Sequence, residues 1–191
     1  MIGVLMRVLA ILGVVVVAFG VLWFTGLLVP LASEGTSSMA PTIPACDGRS
    51  LAEGFTYKWR DPHRGELVVF HASGTIGGPV TPDADSDDLS LTKRVVAIPG
   101  DQVQGRDGNV YVNGFKIDDI ETEPFPREEI GADEYFVLGD NRSFSQDSRD
   151  FGTVPRDAIF GKVFWVFWPL GDFGSPELRH EGPPPGAGLC D

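Results

Sequence analysis

The feature that most limits the fold is a long apolar run near the N-terminus. From Val8 to Ser33 the chain carries no charged residue. A helix that crosses a bilayer needs about 20 apolar residues, so this run is long enough to span a membrane with some tilt. Pro30 is expected to end the helix, because proline lacks a backbone N–H and clashes with the preceding turn. We interpret residues 1–33 as a short N-terminal stub and a transmembrane anchor.

A cleaved secretion signal is the alternative interpretation of this run. The apolar core of such a signal has roughly 7–15 residues and ends at a small-x-small site. This run is longer, and its end, "PLAS", fits that site poorly. An anchor is therefore favoured. Arg7 precedes the span and Glu34 follows it. The positive-inside rule then predicts a single-pass protein of the cell membrane with its N-terminus in the cytoplasm and the rest outside.

Charge and cysteine content exclude several classes of partner. The chain has 191 residues and a net charge of −12. This acidic charge repels nucleic acid, so we expect no nucleic-acid partner. No cysteine or histidine spacing matches a zinc motif, and we expect no metal or other cofactor. Cys46 and Cys190 are the two cysteines. An external location would permit a disulfide between them, but the sequence leaves their separation open.

The chain beyond the apolar run has the pattern of a β protein. No helical periodicity follows residue 34, and Asn113-Gly114 is a strong hairpin signal between two short runs. We predict an all-β fold, a sandwich or partly closed barrel, over residues 34–170. A polar stretch at about 72–90 is expected to be a flexible loop and residues 171–191 a flexible tail. The predicted strands are "ELVVFHA" (66–72), "KRVVAI" (93–98), "NVYV" (109–112), "FKI" (115–117), "YFVL" (135–138) and "KVFWVFW" (162–168).

A catalytic serine in this chain would need a base to accept its proton. The three histidines, His63, His71 and His180, stand in no recognisable catalytic context. A lysine has an ordinary pKa of about 10.4 and acts as a base near neutral pH only if burial lowers that value. Lys93 begins the apolar run "VVAIPG" and is placed for such burial. On this evidence alone, a surface lysine at the start of a strand is the simpler interpretation.

Four stretches follow the apolar span: "SSMAPT" (37–42), "RGELVVF" (64–70), "TKRVVAIPGD" (92–101) and "GDNRSFSQDSRDFG" (139–152). In this order they resemble the sequence boxes of bacterial type I signal peptidases, with Glu66 where the family has aspartate. Signal peptidases of the archaeal and endoplasmic-reticulum type carry histidine where this chain has Lys93, which indicates the bacterial type. The resemblance covers residues 8–170 and implies the all-β fold that these enzymes share with self-cleaving SOS-response repressors.

The resemblance implies a role for each matching residue. Ser38 corresponds to the nucleophile and Lys93 to the general base. The Thr36 hydroxyl and the Ser38 backbone N–H would form an oxyanion hole. Ser145 corresponds to the serine that orients the lysine amine. The remaining matches are scaffold residues (Arg94, Asp140, Asp147, Arg149) and residues that line shallow substrate pockets (Met39, Leu91, Thr92).

The function implied by the resemblance is a membrane-anchored serine endopeptidase with a Ser/Lys dyad. Its partners would be the lipid bilayer and exported preproteins, whose signal peptides it would remove after small residues in an Ala-X-Ala pattern. One alternative is a Ser/Lys processing peptidase dedicated to a specialised secretion or conjugation system. Another is a non-catalytic anchored β domain that binds a partner at the cell surface.

Overall fold

The computed structural model describes residues 2–24, 28–32, 36–72 and 89–176. It begins with one long helix, α1 (Ile2–Phe24). Within α1, the segment Gly3–Val21 has a mean hydropathy of 2.7, and none of it is buried against the rest of the protein. By length and composition this helix could cross a membrane, although a signal sequence has the same two properties.

The apolar run supplies a strand as well as a helix, which differs from the expectation that Pro30 ends the helix. Helix α1 already ends at Phe24, and Pro30 lies in β1 (Leu28–Ala32). Strand β1 pairs on one side with β2 (Arg49–Glu53) and forms the edge of the larger sheet. An edge strand tolerates proline because one row of its backbone groups needs no partner strand.

The remainder of the described chain forms two antiparallel sheets, which confirms the all-β prediction. The strands after β2 are β3 (Leu67–Ala72), β4 (Leu89–Ala97), β5 (Gln102–Arg106), β6 (Asn109–Val112), β7 (Phe115–Lys116), β8 (Phe125–Glu129), β9 (Glu134–Leu138), β10 (Val154–Pro155) and β11 (Ile159–Trp168). The larger sheet has the strand order β1-β2-β11-β3-β4-β9-β10, and the smaller has the order β7-β6-β5-β8. A four-residue helix, α2 (Ser148–Phe151), lies between β9 and β10.

Strand β9 is buried on both faces and holds the two sheets together. Its side chains alternate between two apolar clusters, as the two-residue period of a strand requires. Val137 packs with Val68 and Phe70 of the larger sheet. Phe136 and Leu138 pack with residues of the smaller sheet. The loop that follows Leu138 therefore starts from a fixed point in the core.

The predicted hairpin is present between β6 and β7. Asn113 and Gly114 have φ angles of 53° and 85°, the left-handed values that a two-residue type I′ turn requires. The Asn113 N–H also donates to the Gln102 carbonyl, 2.8 Å away. This contact ties the turn to the neighbouring strand β5.

The predicted loop and tail fall largely outside the described residues. Of the expected loop at 72–90, residues 73–88 are not described. The first residues of the expected tail, 171–176, are joined to β11, because Gly174 and Val166 exchange two backbone hydrogen bonds of 2.8 and 2.9 Å. Residues 177–191, with His180 and Cys190, lie outside the description. Cys46 is disulfide-bonded.

Candidate active site

The candidate nucleophile, Ser38, lies in a tight turn between β1 and β2. The Ala40 N–H donates to the Ser37 carbonyl (3.1 Å), and the Ile43 N–H donates to the Met39 carbonyl (2.9 Å). The Met39 side chain is 5% exposed and packs with Ile43 in an apolar cluster that includes Leu67. Met39 therefore anchors the turn in the core, and its expected role in a substrate pocket stays a prediction.

The Lys93 amine lies next to this turn. Lys93 is on β4, directly opposite Val68 of β3, and is only 3% exposed. Its Nζ is 2.7 Å from Ser38 Oγ, within hydrogen-bond distance. Burial lowers the pKa of Lys93 from 10.5 to about 8, although the carboxylates of Asp147 and Asp140 act in the opposite direction. A fraction of the amine is therefore neutral near neutral pH, and the neutral form has the lone pair that a base needs.

Arg94, the residue that follows Lys93 on β4, is fixed by an ion pair. Arg94 Nε and Nη2 donate to the two carboxylate oxygens of Asp140 at 2.8 and 2.7 Å. Arg94 Nη1 also donates to the Gly65 carbonyl at 2.6 Å. The two charged side chains are 7% and 1% exposed, and this bidentate geometry is the strongest form of the contact. The pair connects β4 to the loop that follows β9.

Asp147 organises the same loop from within. It caps helix α2, and its carboxylate, which is fully buried, accepts from the Gly139 N–H at 2.9 Å. Arg149 Nε donates to Asp147 at 2.8 Å, and Arg149 Nη2 donates to the Arg142 carbonyl at 2.8 Å. These bonds fold residues 139–149 into a compact turn beside Ser38.

Ser145 lies in this turn with its hydroxyl buried. Its Oγ has no hydrogen-bond partner, so the structure shows no bond to the Lys93 amine. Ser145 Oγ does lie close to Gly139, where a Cβ atom would also come within 2.6 Å of the Ser38 carbonyl oxygen. The expected role of Ser145 in orienting Lys93 stays a prediction.

Thr36 and the two expected pocket residues on β4 are more accessible. Thr36 is exposed, and its carbonyl accepts from the Cys46 N–H at 3.3 Å. Leu91 and Thr92 are half-buried. They lie in the part of β4 that extends past the end of β9, since β9 pairs with β4 only from Arg94 onward. Of the described strands, none pairs with this part of β4 on the β9 side.

The described histidines make contacts away from Ser38. The His71 ring stacks on Phe160 with ring centroids 4.2 Å apart. The His63 N–H donates to the Glu66 carboxylate at 3.0 Å. Neither shows a hydrogen bond to Ser38, and His180 lies outside the described residues. Within the described part of the chain, Lys93 is the basic group next to Ser38.

Glu66, where the related box has aspartate, binds two cations. Arg60 Nη1 donates to it at 2.9 Å and Lys162 Nζ at 2.7 Å. Burial raises the pKa of Glu66, but these hydrogen bonds outweigh burial and lower the pKa to about 2. The Glu66 side chain thus joins the residue before β3 to β11.

Sequence reasoning assigned no role to Asn141, which contacts the nucleophile turn directly. Asn141 is 1% exposed. Its N–H donates to the Ser38 carbonyl at 3.0 Å, and its Nδ2 donates to the Ser37 carbonyl at 3.1 Å. The only sequence signal was its position in the "GDNRSFSQDSRDFG" stretch.

The neighbour of Asn141, Arg142, forms a second buried ion pair. Arg142 Nη2 is 2.6 Å from the Asp118 carboxylate, and both side chains are 2% exposed. Arg142 Nη1 donates to Thr122 Oγ1, and Nε donates to the Gly139 carbonyl, each at 2.8 Å. This pair joins the loop to the segment between β7 and β8.

The chain is similar to known proteins over most of its length. Residues 4–168 match the family described as "Signal peptidase, peptidase S26". A probable signal peptidase I-2 of Synechocystis sp. is 41% identical over 71% of this chain and 61% of its own length. A signal peptidase I of Leptolyngbya laminosa is 36% identical over 90% of this chain and 80% of its own. A solved signal peptidase I from Enterococcus faecalis is 25% identical, with a TM-score of 0.43, over 54% of this chain and 97% of that one.

Proposed function

This chain belongs to the signal peptidase family, peptidase S26, and we propose that it is a membrane-anchored serine endopeptidase that removes signal peptides from exported preproteins. The observation that carries the proposal is the 2.7 Å separation of Ser38 Oγ and Lys93 Nζ, with Lys93 3% exposed. A buried amine next to a serine hydroxyl is the arrangement that a Ser/Lys dyad requires.

The dyad would act through proton transfer between the two side chains. Neutral Lys93 Nζ accepts the hydroxyl proton as Ser38 Oγ attacks the carbonyl carbon of the scissile peptide bond. The resulting ammonium then gives this proton to the leaving amine nitrogen, and the C–N bond breaks. An acyl-enzyme on Ser38 remains. Lys93, again neutral, takes a proton from water as the water oxygen attacks the ester carbonyl carbon. The ammonium then returns that proton to Ser38 Oγ as the ester C–O bond breaks, which releases the product acid and restores Ser38 and neutral Lys93.

The negative oxygen of the tetrahedral intermediate needs donors on the Ser38 side of the site. In our proposal these are the Ser38 backbone N–H and the Thr36 hydroxyl. Thr36 begins the turn that carries Ser38, and its side chain is exposed and free to meet a substrate. Donors of this kind stabilise charge that develops in the transition state and therefore act on the rate of the chemical step.

The open part of β4 supplies a place for the substrate backbone. Leu91 and Thr92 come directly before Lys93 on β4. Along this part of β4, no described strand pairs with the edge that β9 pairs with from Arg94 onward. An extended peptide can add to such an edge through backbone hydrogen bonds, with alternate side chains entering pockets. We propose that these pockets accept small residues at positions −1 and −3 of the substrate, which gives the Ala-X-Ala preference.

Helix α1 and the nature of the substrate both support membrane anchoring. The exposed apolar helix would hold the β domain at the bilayer, where the apolar segment of a signal peptide also resides. Arg7, at the N-terminal end of this helix, supports a cytoplasmic N-terminus and an external β domain.

Cleavage of a preprotein by the full-length chain in lipid vesicles tests the proposal. Wild-type protein should cut after Ala at −1, and Ser38→Ala should be inactive with an unchanged fold. Ser37→Ala is the matched control and should retain much of the activity. Replacing the substrate Ala at −1 with Phe should stop cleavage. A panel of unrelated preproteins separates a general peptidase, which cuts several, from a dedicated processing peptidase, which cuts one.

A further inference from the structure

Two hydrogen bonds from Asn141 hold consecutive carbonyl groups of the nucleophile turn. The side-chain Nδ2 donates to the Ser37 carbonyl at 3.1 Å, and the backbone N–H donates to the Ser38 carbonyl at 3.0 Å. The Ser37 carbonyl also accepts from the Ala40 N–H at 3.1 Å. The peptide group between Ser37 and Ser38 is therefore held from two directions.

That peptide group includes the proposed backbone donor of the oxyanion hole. The Ser37 carbonyl and the Ser38 N–H belong to one planar unit and point in opposite directions. A side chain that fixes the carbonyl oxygen therefore also fixes the direction of the N–H. A donor on the carbonyl also polarises the amide, which strengthens the hydrogen bond that its N–H donates by about 10–30%.

We propose that Asn141 is a positioning residue that directs the Ser38 N–H toward the developing oxyanion. The inference rests on the proposed peptidase function. It adds a residue that never touches the substrate and that acts on the transition state through the Ser37–Ser38 peptide group.

The surroundings of Asn141 give it the rigidity that this role requires. It lies between Asp140 and Arg142, which form buried ion pairs with Arg94 and Asp118. These pairs fix the backbone on both sides of Asn141, and the side chain is 1% exposed. Its amide is thus held in place before a substrate arrives, as electrostatic preorganisation demands.

The residue type is as informative as the position. The bond to Ser37 needs a donor, which an asparagine amide has and an ionised aspartate lacks. An Asn141→Asp variant keeps the shape but places a carboxylate oxygen against the Ser37 carbonyl oxygen. Asn141→Ala removes the donor and adds no charge. Both variants keep the backbone bond to Ser38.

The test is cleavage kinetics of the full-length protein in lipid vesicles. We expect kcat to fall about 10- to 100-fold in both variants, less than the roughly 10²–10³ for outright loss of an oxyanion donor, because the N–H is misdirected but present. KM should change less than about threefold. The midpoint of the pH–rate profile should stay near the wild-type value in Asn141→Ala, which adds no charge. In Asn141→Asp the new carboxylate adds to those of Asp140 and Asp147 and raises the pKa of Lys93, so kcat of this variant is compared on the plateau above its own midpoint. Asn109→Ala is the control, because it also removes an asparagine-to-carbonyl bond (2.7 Å to Asp107) but lies in the smaller sheet.

A second measurement separates positioning from general support of the loop. A substrate-like peptide aldehyde forms a hemiacetal with Ser38 whose oxygen occupies the oxyanion hole, whereas the corresponding alcohol does not. The Asn141 variants should bind the aldehyde at least tenfold more weakly and the alcohol about as well as the wild type. Equal weakening of both ligands, or failure of both variants to fold, would show a structural role and overturn the inference. Wild-type kcat in Asn141→Asp would also overturn it. A wild-type chain that cleaves no preprotein refutes the proposed function instead.

Discussion

Gly139 lies against both Ser145 and Ser38. A Cβ atom at position 139 would collide with Ser145 Oγ and would come within 2.6 Å of the Ser38 carbonyl oxygen. Gly139→Ala should therefore displace the nucleophile turn, and a shift of about 1 Å at a catalytic group can cost about 10²-fold in rate. We expect kcat/KM for preprotein cleavage to fall by about that factor. The control is Gly171→Ala, where a Cβ would meet nothing within 4 Å. Equal activity of the two variants would show that the turn adapts.

Removal of the Ser145 hydroxyl should lower activity without lowering stability. Its Oγ is buried without a partner, and an unsatisfied buried polar group costs about 1–3 kcal/mol. Ser145→Ala should therefore melt at the wild-type temperature or slightly above it. If Ser145 orients the flexible Lys93 side chain during the reaction, kcat should nevertheless fall. Full activity in Ser145→Ala would remove this residue from the mechanism.

Thr36→Val tests the side-chain donor of the oxyanion hole. The change keeps the shape of the side chain and removes its hydroxyl, and Thr36 is exposed, so the melting temperature should not change. We expect kcat to fall about 10²–10³-fold, the usual cost of one such donor. Thr56→Val, in the turn after β2, is the control and should cleave normally. An unchanged rate in Thr36→Val would mean that other groups form the hole.

The strands that the sequence predicted are those whose own residues favour a sheet. The runs that became β3, β4, β6, β9 and β11 are rich in Val and aromatic residues, and the β6–β7 turn has an unambiguous Asn-Gly pair. Strands β2, β5 and β8 are among those that were missed, because "RSLAE", "QVQGR" and "FPREE" are polar. They become strands because neighbouring strands supply backbone partners, and tertiary context decides β structure more than propensity does.

The candidate site was predictable to a similar extent. The motifs identified Ser38 and Lys93, but only the packed structure shows how burial lowers the pKa of Lys93. The contact between Asn141 and Ser37 joins residues that are far apart in the sequence. Nothing in the two residue types indicates that they lie within hydrogen-bond distance in the fold. The core packing of Met39 was not predicted either, since its position next to Ser38 suggested a substrate pocket, a role that stays a prediction.

Lys93→Met should give an inactive but more stable protein. Because the pKa of Lys93 is about 8 in the folded state and 10.5 ordinarily, the unfolded chain binds more protons between these pH values. Wild-type stability therefore rises with pH through this window, and below pH 8 the buried lysine costs about 3 kcal/mol. Chemical unfolding of Lys93→Met should show a gain of that order at pH 7 that shrinks toward pH 10.5. A stability gain that does not change with pH would show that better packing of methionine, and not the loss of the lysine charge, causes it.

The pH dependence of kcat/KM for preprotein cleavage tests the Ser/Lys dyad most directly. The base must be neutral in the free enzyme, so the rate should be low at pH 6 and rise about tenfold for each pH unit toward the pKa of Lys93, about 8. It should level off above that value, and Lys93→Arg should be inactive throughout, because guanidinium stays protonated. A midpoint near 6.5, the ordinary pKa of histidine, would contradict the account, as would near-normal turnover of Lys93→Arg at neutral pH.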